Sequence, residues 1–150
     1  MFFENFKVNQ MNCGTTEGML AGVISSTSNP VDMSGYEGAA FIATIEKVCD
    51  SSSPYIMLMY SCSSGGTFHD IAGTAVSCGT SATNYFIGSE IYKPLPEQRW
   101  LASKVVSTVA NTCIWVGSML GIQYYARSMP VTQATCNCFE VAISATSGTA

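Results

Sequence analysis

Residues 105–126 carry no charge between Lys104 and Arg127, and that run limits the fold more than any other part of the chain. A bilayer-crossing helix needs about 20 consecutive apolar residues, so length alone admits one. Composition argues otherwise. Ser107, Thr108, Asn111, Thr112, Ser118 and Gln123 are polar, Gly117 and Gly121 interrupt the run, and β-branched residues outnumber helix formers. The run instead divides at Ala110-Asn111-Thr112, because Asn tolerates the left-handed backbone of a tight turn. Two long strands follow, 99–109 and 113–125, expected to pair antiparallel as the central hairpin of a sheet. Pro94 and Pro96 impose an extended entry and Pro130 closes the exit, since proline cannot donate to a central ladder.

Around this stretch the chain punctuates itself at short intervals. Residues 19–25 form a brief apolar run and predict a strand, and residues 32–38 predict a turn. Residues 39–49 alternate, with Phe41, Ala43 and Ile45 on one face and Ile42, Thr44 and Glu46 on the other. A methionine-rich strand is expected over 55–62, one or two weak strands over 68–78, a strand over 84–92 and a last one over 137–145. Ser, Gly, Asn and Pro fill the gaps. Nothing repeats, and no helical period appears. About eight strands at such spacing predict one all-β domain over 1–150, a two-sheet sandwich of the jelly-roll kind. Residues 1–12 read as an N-terminal arm anchored by Phe2, Phe3 and Phe6, or equally as a first strand of the same sheet. Residues 145–150 read as a mobile tail.

Charged residues make up 11% of the 150 residues, against about 25% in ordinary soluble domains, while hydrophobic residues reach 47%. So little charge implies surface covered by copies of the chain or by another protein. A Ser/Thr-rich solvated surface is the plainer reading. The net charge of −4 and six scattered Lys and Arg residues offer no phosphate-neutralising patch, so nucleic-acid binding is not expected. Seven cysteines, an odd number, with a start lacking a basic segment and apolar core, predict free thiols and synthesis in the cytoplasm. Several of them stand at strand positions, as core residues do.

Ile91-Tyr92-Lys93-Pro94, Arg99-Trp100-Leu101, Val105-Val106, Ala110-Asn111-Thr112, Gly121-Ile122-Gln123-Tyr124, Arg127 and Pro130-Val131-Thr132 follow one another in an order that resembles a family of small head structural proteins of tailed bacteriophages. Upstream, Val31-Asp32-Met33-Ser34-Gly35-Tyr36-Glu37-Gly38 is similar to that family's turn, and the end Ser147-Gly148-Thr149-Ala150 is similar to its tail. Where the family carries further basic residues after the Arg–aromatic pair, this chain has Ala102 and Ser107. The resemblance implies a cement or decoration protein, made in the host cytoplasm and bound outside the capsid. Its partners would be the major capsid protein and copies of itself, a dimer being favoured over a trimer. Neither membrane nor nucleic acid is implied.

Catalytic chemistry has no foothold in the pattern. His69 is the only histidine, and neither Cys62 nor Cys78 sits in a nucleophile motif. Cys136-Asn137-Cys138 lacks the second pair that a tetrahedral zinc site needs. No catalytic, cofactor or metal residue is therefore expected. The expected contact residues are Phe2, Phe3, Phe6, Tyr92, Arg99, Trp100 and Arg127, because aromatic residues and arginine dominate interface energetics. Trp100 and Tyr92 read equally well as core. A glycan-binding β-sandwich, with exposed Trp or Tyr stacking on sugar, is the alternative function.

Overall fold

The computed structural model describes residues 5–11, 18–21, 24–48, 55–77, 83–107 and 113–128. These residues are all strand, turn and loop, with no helix, in two antiparallel sheets packed face to face. Sheet A contains β1 (Phe6–Met11), β2 (Gly18–Ala21), β5 (Tyr36–Val48), β9 (Thr83–Tyr92) and β11 (Cys113–Ala126). Sheet B contains β3 (Ile24–Thr27), β4 (Val31–Asp32), β6 (Tyr55–Ser61), β7 (His69–Asp70), β8 (Val76–Ser77) and β10 (Trp100–Ser107).

The order across sheet A is β1-β11-β5-β9, with β2 also on β11. The order across sheet B is β3-β10-β6-β7, with β4 also on β10 and β8 also on β6. β1 with β2, β3 with β4, and β7 with β8 each act as one interrupted edge. The described residues then make eight strand positions, ordered 1-8-3-6 in one sheet and 2-7-4-5 in the other. That is the jelly roll. Short, broken edges also suit a sandwich, because a long bare edge recruits foreign strands.

The expected central hairpin does not exist. β10 and β11 belong to opposite sheets and do not pair with one another. β10 pairs with β6, β3 and β4, and β11 pairs with β5, β1 and β2. The expected strand over 19–25 likewise splits into β2 and β3, one in each sheet. The expected turn at 110–112, the strand over 137–145 and the tail lie outside the described residues. No described helix is long and apolar enough to cross a membrane.

Alternation builds the core. Ala39, Phe41 and Ala43 of β5 face Ile56 and Leu58 of β6 and Leu101 and Val105 of β10, all at most 1% exposed. Each large apolar side chain buried here contributes roughly 1.5–3 kcal/mol. Gly121 makes room for this layer: a Cβ there would come within 2.9 Å of the Met11 Sδ and 3.4 Å of a Phe41 ring carbon. One buried hydroxyl is out of place, since Ser103 Oγ meets no hydrogen-bond partner among the described residues.

Candidate interaction surface

Three segments distant in sequence meet at one end of the sandwich: the 32–37 turn, the 93–99 loop and Arg127 at the end of β11. Backbone hydrogen bonds tie them together. The Met33 amide donates to the Arg99 carbonyl at 2.8 Å, the Lys93 amide to Glu37 at 2.7 Å, and the Arg127 amide to Gly35 at 2.8 Å. Gly35 takes a φ of 89°, a backbone that side chains resist, which turns the chain sharply between β4 and β5. Lys93 adopts a φ of 51° where β9 ends, and the loop beyond it is not extended as expected but closes in a turn around Pro96, the Gln98 amide donating to the Leu95 carbonyl at 2.8 Å. Between the segments lies a cleft of about 440 Å³.

Asp32 organises its floor. The Arg99 guanidinium donates through Nε to Asp32 Oδ1 at 3.0 Å and through Nη2 to Oδ2 at 2.9 Å, while the Ser34 amide also donates to Oδ1 at 2.9 Å. The Arg99 hydrogen bond, aided by Ser34, holds the Asp32 carboxyl below its usual range, against partial burial that pulls it upward. Beneath, the buried Gln123 donates to the Asp32 carbonyl at 2.6 Å and accepts from Asn9 at 2.9 Å. A chain of polar contacts therefore runs from β1 through β11 to β4, joining the sheets under the cleft.

Beside the cleft stands a cluster of tyrosines. Tyr125, at a φ of 52°, sits in backbone space that costs a bulky residue about 1–3 kcal/mol. Its exposed ring meets Tyr92 edge-on at 5.9 Å and Tyr124 at 5.1 Å between centroids. The Tyr124 hydroxyl donates to the Glu90 carboxylate. Burial, and then that bond, push the Tyr124 phenol well above its ordinary range. Tyr124 lies where a Cβ on Gly38 would be, so glycine is required opposite it.

The cluster continues across the outer face of sheet A. Phe86 is 81% exposed, Tyr92 51%, Tyr125 63% and Leu120 39%. By register Leu120 stands opposite Ile42, and Ile122 stands opposite both Val8 and Ala40. Among the described residues the face is mainly apolar, with Gln10 and Thr44 on it by register and the carboxylate of Glu90 at its β9 edge. The outer side of sheet B differs: Lys104 reaches Asp70 at 2.6 Å across Met59.

Of the contact residues expected from sequence, Arg99 and Arg127 line the cleft, and Tyr92 borders it with the Lys93 ammonium 5.2 Å from its ring centroid. Tyr92 is a surface residue, not core. Trp100 is half-buried on sheet B, with the Arg99 guanidinium 5.8 Å from its ring centroid. Phe6 favours the first-strand reading over the arm. It is 7% exposed in β1, opposite Tyr124, so residues 6–11 are a strand of their own sheet. Phe2 and Phe3 lie outside the described residues. Cys62, expected in a core strand, is free and exposed just past β6. Sequence reasoning missed Phe86, Leu120 and Tyr125. Alternation in β9 could have exposed Phe86, since Ile87 and Ile91 mark the inner face. No signal marks the backbone twist that turns out Tyr125. Comparison with protein-family models and with curated proteins returns no match.

Proposed function

We propose that this chain is a non-enzymatic virion structural protein, a cement or decoration protein that docks on the outside of a tailed-phage head and bridges major capsid protein subunits. The observation that carries the reading is the apolar outer face of sheet A, whose Phe86, Leu120 and Tyr125 the fold itself leaves uncovered. Apolar rings on a rigid sheet are anchors of the kind that dominate interfaces. The motif resemblance supplies the partner, and the scarcity of charge agrees with a surface that spends its life covered. Binding only to the assembled lattice would stabilise the shell by mass action.

The test is to add purified protein to heads that lack it and to count bound copies. A head protein binds at a copy number near that of the coat subunit and raises the temperature at which heads open. Phe86→Ser with Leu120→Ser keeps the fold and abolishes both effects. Absence from purified particles, or binding undiminished in that variant, would sink the proposal. The exposed Tyr92–Tyr125 pair beside Glu90 carries a second reading, a glycan-binding module, which retention on a sugar column at low particle copy number would favour.

A further inference from the structure

The distribution of charge marks a second surface, distinct from the apolar face. The chain has ten acidic and six basic residues, yet three of the six, Lys93, Arg99 and Arg127, line one cleft between the 32–37 turn and the 93–99 loop. Two carboxylates stand with them, Glu37 in the lining and Asp32 bonded to Arg99, so the cleft keeps a surplus of one positive charge. An acidic protein that gathers half of its cations around one concavity has built a local field of the opposite sign to its net charge.

The cations are also held in place. Arg99 engages Asp32 through its Nε–Nη2 edge, and its Nη1 meets no acceptor among the described residues. A guanidinium oriented by one carboxylate in this way presents its remaining N–H groups to a second, and such charge-assisted bonds are about twice as strong as neutral ones. The Lys93 and Arg127 backbones are fixed by their bonds to the Glu37 and Gly35 carbonyls. Met33, Leu95 and Pro96 supply an apolar wall beside the charges. The volume of about 440 Å³ falls within the roughly 300–1,000 Å³ of ligand-sized clefts.

We infer that this cleft takes a carboxylate-bearing, extended segment of a partner protein, with Arg99 and Arg127 gripping an Asp or Glu side chain and the Leu95–Pro96 wall packing its neighbour. Charge selects the occupant, and the wall selects a peptide over a free ion. The inference does not rest on the particle reading, because the cleft is complete in one copy of the chain.

Titration of the isotopically labelled full chain with acetylated pentaglutamate, followed by amide NMR, tests it directly. The expected result is saturable shifts confined to Gly35, Lys93, Arg99 and Arg127 and their neighbours, lost when salt is raised to about 1 M, where the screening length is about 3 Å. Arg127→Gln and Lys93→Gln each weaken binding about tenfold, the scale of one charge-assisted bond, with the melting temperature unchanged because both side chains are exposed. Glu37→Gln tightens it. Equal binding of pentaglutamine, shifts located elsewhere, or unchanged affinity in Arg127→Gln would overturn the inference. So would inorganic phosphate or an oligothymidylate competing as strongly as the peptide, which would make the cleft a general anion site. Loss of head binding with peptide binding intact would refute the cement reading alone.

Discussion

The two faces of sheet A are made by alternate residues of the same strands, and they are nearly equally apolar. On the inner face Phe41 is completely buried, and on the outer face Phe86 is 81% exposed. Folding explains the first: Phe41 removes its ring from water against Ile56, Leu58 and Leu101. It does not explain the second. A strand whose outer side faced only solvent would alternate apolar with polar residues; on sheet B the Lys104–Asp70 pair at least interrupts an outer face that also carries Met57 and Met59. The contrast teaches that burial separates the two faces where composition does not.

The sharpest way to break that comparison is to truncate one ring from each face. Phe41→Ala is expected to cost about 3–5 kcal/mol in denaturant unfolding, the usual range for a buried phenylalanine. Phe86→Ala should fall within about 0.5 kcal/mol of the parent, as surface substitutions do. Comparable losses would mean that Phe86 belongs to a core, and the outer face would need no partner.

A smaller effect is expected at Gln123, the polar residue that the inner face cannot spare. Gln123→Ala removes the donor to the Asp32 carbonyl and one of the two acceptors of Asn9, which keeps its bond to the Gly121 carbonyl, and leaves a cavity with an orphaned carbonyl. A loss of about 2–3 kcal/mol should follow, with the amide signals of Ser34 and Arg99 shifting because the cleft floor loses its support. If stability falls but those signals stay put, Gln123 joins the sheets without shaping the cleft.

The smallest effect concerns Tyr124 on the outer face. Its phenol is raised above the ordinary value of about 10 by burial and by the bond to Glu90. A raised folded value stabilises the neutral form, so this contribution is full below about pH 10 and is lost as pH climbs above it toward the folded value. The stability difference between the parent and Tyr124→Phe should therefore shrink above about pH 10. A difference flat through that range would show that the phenol is neither buried nor bonded to Glu90 in solution.

Strand existence was largely legible in the chain. The alternation that puts Phe41 and Ala43 on one face and Ile42 and Thr44 on the other is a local property of a pleated strand, and it survives in β5. The same holds for β6, β9, β10 and β11, whose bounds lie within a few residues of expectation. Turn spacing, also local, carried the sandwich class. Of the surface, Tyr92, Arg99 and Arg127 were legible as contact candidates from residue type and motif order.

Pairing was not legible, because hydrogen-bond partners across a jelly roll are chosen by the packing of the whole sandwich. Asn111 marks a break in the chain but cannot say whether the next strand returns beside β10 or crosses to the other sheet. A hairpin there would also have had to place Leu101 and Val105 beside Met119 in one sheet. In the folded chain they face one another from opposite sheets and close the core. Likewise nothing local joins Asp32, Lys93, Arg99 and Arg127. Long-range pairing alone brings the ends of β4, β9 and β11 and the start of β10 to one corner, so sequence determined which residues carry charge and rings, while tertiary structure decided that they share a site.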